Sequence, residues 1–109
     1  MKTILFAMTA VLVLASAPAV ARADGAEMYE KKCARCHGMD GKAETTMGRR
    51  LNMRDLTNPK VQEGSTDEQW GRLIREGVRG AGGKNVMPVT QASPDEVKDL
   101  LKYLRSFKK

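Results

Sequence analysis

The sequence predicts an all-α fold with three to four helices, and three observations lead to that prediction. Near the carboxyl end, apolar residues recur at the spacing of one buried helical face: Val97, Leu100, Leu101, Leu104 and Phe107. A second apolar stripe, formed by Trp70, Leu73 and Ile74, follows a possible helix cap. Isoleucine and valine occur only singly after Asp24, so no strand of period two is expected.

The first 23 residues are predicted to form a cleavable signal peptide. A basic start and an apolar run lead to the small-x-small site Ala21-Arg22-Ala23, and cleavage two residues earlier is equally compatible. An uncleaved anchor is the alternative, because Ile4 to Ala21 spans 18 residues, but Pro18 favours cleavage. We expect residues 1–23 to be the signal and residues 24–109 to form one periplasmic domain without a permanent membrane anchor.

The domain is small for an unaided hydrophobic core. Its aromatic residues are Tyr29, Trp70, Tyr103 and Phe107. Domains of this size bury a modest fraction of their unfolded surface and commonly depend on a disulfide, a metal or a partner. The two cysteines are three positions apart, so a disulfide between them would close too small a loop to stabilise much. We therefore expect something besides side chains to fill the middle of the domain.

The charge is mildly basic, with 19 lysines and arginines against 13 aspartates and glutamates. The basic residues are spread from Lys31 to Lys109 and form no arginine-rich block interleaved with aromatic residues, as a nucleic-acid groove would need. We expect no nucleic-acid partner. A protein partner with an acidic surface fits better, although charges of this kind also keep a small exported domain soluble.

The first helix is predicted from about Gly25 to Ala34, because Tyr29 and Cys33 fall on one face at helical spacing. The segment from Gly38 to Pro59 is rich in Gly, Thr, Asn and Asp, which favours loops. At most a short helical turn is expected there, near Arg49 to Met53.

The second helix is predicted to start at Ser65 or Thr66, with Glu68 or Gln69 three residues later to complete a capping box. Gly77 is its predicted C-terminal stop.

A glycine-rich loop is predicted from Val78 to Ala92. The last helix then begins with Ser93 as cap, Pro94 at the first helical position and Glu96 completing the box.

The chemistry of the chain is indicated by Cys33-Ala34-Arg35-Cys36-His37, a CxxCH motif typical of covalent haem attachment. On a helical turn the two thiols and the imidazole project from one side, so two thioethers can hold the porphyrin edge while the imidazole binds iron. Three alternatives compete. A zinc site wants four ligands, a thioredoxin-like dithiol wants a βαβ context, and a plain disulfide leaves the small core unexplained.

The sixth iron ligand cannot be a second histidine, because His37 is the only one in the chain. It must come from methionine, lysine, another side chain, water or nothing. The methionines after the leader are Met28, Met39, Met47, Met53 and Met87. Met28 lies in the first helix, and Met39 is too close to His37 to reach across the ring. We favour Met87, which follows the second helix and is stiffened by Pro88; the remaining two methionines are alternatives, and filling a core gap is the ordinary role of a methionine.

From Asp24 to Lys109 the chain resembles the class I c-type cytochromes, in particular the small bacterial monohaem kind. The likeness rests on matching positions along the chain: Gly25, Tyr29, Cys33-Ala34-Arg35-Cys36-His37-Gly38, Met87-Pro88, Leu100, Tyr103 and Leu104. The resemblance implies a small cytochrome c fold wrapped around one covalently bound haem (heme c), attached through Cys33 and Cys36, with His37 and Met87 as axial iron ligands.

The resemblance also implies that the first helix packs against the last, with Gly25 close to Leu100 and Tyr29 near Tyr103. The family often carries a proline about twelve residues after the histidine, and its carbonyl accepts a hydrogen bond from the axial imidazole. Arg49 occupies that position here.

The expected function is one-electron transfer by a soluble, monomeric carrier of a respiratory or related chain, not an enzyme. Histidine and methionine ligation raises the reduction potential, and iron with both axial positions filled leaves little room for a substrate. A haem enzyme, a gas sensor with an open sixth position, and a redox subunit of a larger complex are the alternatives.

Several polar residues could serve such a haem. Arg49, Arg50 and Arg54 could pair with propionates. Trp70 either packs on the haem, reaches a propionate through its indole N–H, or is an ordinary core residue. Basic residues could surround the exposed edge and steer an acidic redox partner: Lys31, Lys32, Arg35, Lys42 and Lys84.

Overall fold

The computed structural model describes residues 9–15 and 24–109, so the proposed cleavage site at Ala21-Arg22-Ala23 lies outside the described residues and stays a prediction. In these ranges the chain forms six α-helices: α1 (Gly25–Lys32), α2 (Ala34–His37), α3 (Thr46–Arg50), α4 (Pro59–Glu63), α5 (Asp67–Glu76) and α6 (Pro94–Arg105). Two short strands, β1 (Val78–Arg79) and β2 (Asn85–Met87), enclose a 3₁₀ turn at Ala81–Gly83. No helix within the described ranges is long and apolar enough to cross a membrane. The predicted all-α class is confirmed.

The two long helices after the motif begin where the sequence indicates, although α6 ends at Arg105, before Phe107 of the predicted apolar face. Thr66 and Gln69 form the capping box of α5, and Gly77 ends that helix. Ser93 and Glu96 form the box of α6, with the predicted proline at its first position. Side-chain caps satisfy backbone N–H groups that have no partner inside the helix, which is why these boundaries are readable from sequence.

Four shorter features differ from the prediction. The predicted first helix is interrupted at Cys33, which separates α1 from α2. The short central helix starts earlier than expected because the Thr45 side chain accepts the Gly48 N–H. Helix α4 was not predicted, although Asn58 caps it with a proline following. The hairpin was not predicted either, because strands of two and three residues are too short to show alternation.

Helix α1 packs against α6, as predicted. A Cβ on Gly25 would collide with the backbone carbonyl of Asp99, so only glycine permits this approach. The atoms of α6 nearest to that position belong to Asp99 and Tyr103, which lie on either side of the expected Leu100 in the helix. The Tyr29 and Tyr103 rings lie 5.4 Å apart between centroids, which confirms their predicted proximity.

Candidate functional site

The core beside α1, α5 and α6 opens into three neighbouring cavities of about 100, 440 and 540 Å³. His37 and Met87 are the residues that line all three of them. The two larger volumes fall within the range of ordinary cofactor pockets. These cavities can therefore accommodate the group that the sequence predicts in the middle of the domain.

The CxxCH motif lies on one wall of this space. Cys33, Cys36 and His37 all line the 440 Å³ cavity, so the structure brings the three predicted side chains together. The turn is held by the His37 N–H, which donates to the Cys33 carbonyl at 2.9 Å. Both thiols are free. Burial raises the pKa of Cys33 to about 11 and lowers the pKa of His37, which favours the neutral imidazole that ligates metals.

Two hydroxyl groups fix the backbone on either side of His37. The Tyr29 hydroxyl donates to the Gly38 carbonyl at 2.6 Å, and the Thr45 hydroxyl donates to the Cys36 carbonyl at 2.6 Å. The role of Thr45 was not predicted; its sequence signal is only that of a helix cap. These bonds orient the motif towards the cavity.

The Nδ1 atom of His37 is buried and has no hydrogen-bond partner among the described residues. The Arg49 carbonyl, at the position of the family's proline, instead accepts the Asn52 N–H at 3.3 Å. Helix α3, which carries Arg49, therefore does not supply the second hydrogen bond that usually orients a metal-bound histidine.

Three methionines reach the cavities. Met87, at the end of β2, lines all three, Met53 lines the two larger ones, and Met47 lines one. Met28 is buried in the core, and Met39 is 59% exposed. The structure therefore keeps Met87 as a ligand candidate and leaves Met53 as the strongest alternative.

A second wall comes from α5. Trp70 and Ile74 are buried, whereas Leu73 is 43% exposed because it faces the cavity rather than packed protein. Leu56 and Val61, from the loop and helix before α5, complete the apolar lining. Apolar walls of this kind exclude water from a bound group.

The polar residues at the cavity edges are fewer than expected. Of the three candidate arginines, Arg54 alone lines a cavity. Of the five basic residues proposed to surround the site, Lys31, Lys32 and Arg35 line the 440 Å³ cavity. We call these three the basic rim. Lys42 and Lys84 are not among the residues lining the cavities.

An arginine that the sequence did not single out supports the α5 wall. The Arg105 guanidinium lies 4.1 Å from the centre of the Trp70 ring. It also donates to the Ser65 carbonyl at 2.6 Å and to the Asp67 carboxylate at 2.7 Å. The side chain of Gln62, buried beside it, donates to the Leu56 carbonyl at 2.6 Å.

The residues fit a covalently attached haem. Two free thiols and an imidazole share one wall, a thioether faces the same cavities, and a buried ring nitrogen lacks a protein partner among the described residues. No three His, Cys, Asp or Glu side chains in the described part of the chain converge as they would on a bare metal ion, so the zinc alternative gains no support.

Comparison with known proteins agrees with this geometry. A family model described as cytochrome c oxidase, cbb3-type, subunit III, matches residues 20–104. The chain is also similar to a solved structure named KustC0563 c-type cytochrome, at 32% identity and a TM-score of 0.66, covering 80% of this chain and 100% of that one. A tyrosine-to-phenylalanine mutant of Kustc0563 is similar at 30% identity and a TM-score of 0.65, covering 79% and 100%. No curated protein matches the chain significantly. The chain therefore belongs to the cbb3-type subunit III family of c-type cytochromes, which implies covalently bound haem c with its iron and a role in electron transfer.

Proposed function

We propose that this cytochrome is a soluble, monomeric one-electron carrier of the periplasm, with haem attached through Cys33 and Cys36 and with His37 and Met87 as axial ligands. The observation that carries the proposal is that His37 and Met87 line the same three cavities, with the two thiols beside the imidazole. When bound, the haem iron supplies the one-electron couple. The protein's own residues hold it and control access to it.

The position of each of these residues indicates its role. The thiols fix one edge, and the hydroxyls of Tyr29 and Thr45 hold the backbone around His37. The apolar side chains of α5 exclude water, which favours the less charged ferrous state and raises the reduction potential. A methionine on the far side would close the sixth position to external ligands.

The partner is proposed to be a redox protein with an acidic surface. All three residues of the basic rim are exposed. Lys31 forms an ion pair with Glu27 at 2.6 Å, so Lys32 and Arg35 are the two that the test below replaces. Opposite charges on two proteins steer their encounter, and salt screens that attraction. Close to the cavity, this rim presents positive charge where an electron would leave or enter.

The proposal is tested by the rate at which the ferrous protein reduces hexacyanoferrate(III), an anionic oxidant, at increasing ionic strength. We expect the rate to fall with salt, and the double variant Lys32→Gln/Arg35→Gln to be slower with a weaker salt dependence. The matched control Lys42→Gln/Lys84→Gln removes the same charge away from the cavities and should change the rate less. Equal effects of the two double variants would contradict the proposed rim.

A second candidate is a redox subunit of a larger complex, because the matching family is described as an oxidase subunit. The native mass of the haem-containing species in a detergent-free periplasmic extract distinguishes the two functions. The carrier should migrate at the mass of one chain with its haem, and the 109 residues account for 12.0 kDa of that mass before any signal is removed. Recovery of the haem only in a larger assembly would favour the subunit. Mass spectrometry of the same fraction would give the mature N-terminus.

A further inference from the structure

The backbone around Met87 lies against the C-terminal end of α5. The Thr90 N–H donates to the Ile74 carbonyl at 2.9 Å, and Val78 pairs with Met87 across the hairpin. Between these two attachments lies Gly77, whose N–H donates to the Leu73 carbonyl at 2.8 Å. The end of α5 and the Met87 segment are thus joined on both sides of one glycine.

Gly77 has φ +73° and ψ −176°, a conformation that is essentially open to glycine alone. A Cβ built on Gly77 would lie 2.5 Å from the Met87 carbonyl oxygen, 3.1 Å from the Val89 nitrogen and 3.2 Å from the Pro88 carbonyl carbon. All three contacts are backbone atoms. Because no side chain could rotate away, any larger residue must displace the segment that carries Met87.

We propose that Gly77 is a positioning residue for Met87: its missing side chain lets the Met87-Pro88-Val89 backbone approach α5 closely enough to hold the thioether at the cavity. The inference rests on the proposed ligation by Met87. Helix α5 lines the cavities through Trp70 and Leu73, so contact with the end of this helix sets the position of Met87 relative to the haem-binding wall. Gly77 itself is not among the residues that line the three cavities.

The test is the affinity of the ferric holoprotein for imidazole, which competes with a protein ligand for the sixth position. In the Gly77→Ala variant Met87 should be held less well, and imidazole should bind at least tenfold more tightly than to wild type. The Met87→Ala variant sets the upper limit of this gain. A merely structural role for Gly77 would lower the unfolding midpoint without changing imidazole affinity under native conditions.

Gly82→Ala is the control. Gly82 also has positive φ, at +74°, and lies in the same hairpin, but a Cβ there would meet nothing within 4 Å. Its imidazole affinity should stay within twofold of wild type. If Gly77→Ala yields no holoprotein, Pro88→Gly replaces it, because loosening the same segment should also raise imidazole affinity tenfold.

The possible failures are distinguishable. If wild type lacks the weak near-infrared band of methionine-to-iron charge transfer, the proposed ligation fails and this inference with it. If wild type has the band but the test variant binds imidazole no more tightly than Gly82→Ala does, Met87 is a ligand and the role of Gly77 is refuted.

Discussion

Replacing Arg105 by methionine should destabilise the holoprotein far more than a surface arginine would predict. The Arg105 side chain is 27% exposed and connects α6 with the chain before α5 and with the Trp70 ring. Its guanidinium donates to the backbone carbonyls of Gln62 and Ser65. Methionine keeps much of the stem and removes these bonds.

The expected loss is about 3 kcal/mol of unfolding free energy. Hydrogen bonds from a charged donor contribute roughly 1.5 to 3 kcal/mol each, and a partly exposed cation–π contact about 1 kcal/mol. These contributions overlap, because they share one side chain, so their sum is an upper limit. The ion pair with Asp67, whose side chain is 66% exposed, adds little.

The assay is denaturant unfolding of the holoprotein, followed by tryptophan fluorescence. Arg72→Met is the matched control, because Arg72 is also helical but its only described ion pair, with Glu68, spans 4.0 Å between exposed side chains. It should cost less than about 0.5 kcal/mol. Equal losses for the two variants would refute the assignment of Arg105 as a support of the α5 wall.

Three further perturbations have defined outcomes. Gly25→Ala should cost about 1 to 3 kcal/mol in denaturant unfolding, because its Cβ would collide with the Asp99 carbonyl; an unchanged midpoint would contradict the close helix contact. Tyr29→Phe keeps the ring packing but leaves a buried carbonyl without its donor, and should cost about 1 to 3 kcal/mol by the same assay, whereas no loss would show that water replaces the hydroxyl. Hydrogen bonds from the hydroxyl and N–H of Thr57 lower the pKa of Asp55, so the stability that this carboxylate contributes is present above its unfolded pKa and is lost as pH falls through the folded value. Between about pH 5 and pH 2, wild type should therefore lose more unfolding free energy than Asp55→Asn, and parallel curves would contradict this.

Elements with their own local signals were predictable from sequence. Helix α6 carries a capping box, a proline at its first position and a full apolar face, and α5 carries a box and a terminal glycine. The CxxCH motif is contiguous, so its three side chains necessarily share a turn. Met87 could be proposed from its place after α5, since the chain must return across the cavity before α6.

Features that depend on distant partners were not predictable. The hydrogen-bond partners of Arg105 lie 38 to 43 positions away, and two of them, the Gln62 and Ser65 carbonyls, are backbone groups that have no sequence signature. The role of Thr45 at the Cys36 carbonyl and the exposure of Leu73 likewise follow only from the folded arrangement. The close approach of Gly77 to the Met87 carbonyl is invisible in sequence, where the glycine indicates only a helix stop.

The central claim, axial ligation by His37 and Met87, is tested most directly by the near-infrared spectrum of the ferric holoprotein. Wild type, Met87→Ala and Met53→Leu should be compared, since Met53 is the other methionine that lines more than one cavity. The methionine-to-iron charge-transfer band should be present in wild type and in Met53→Leu and absent from Met87→Ala. A band that survives in Met87→Ala, or that is lost in Met53→Leu, would contradict ligation by Met87.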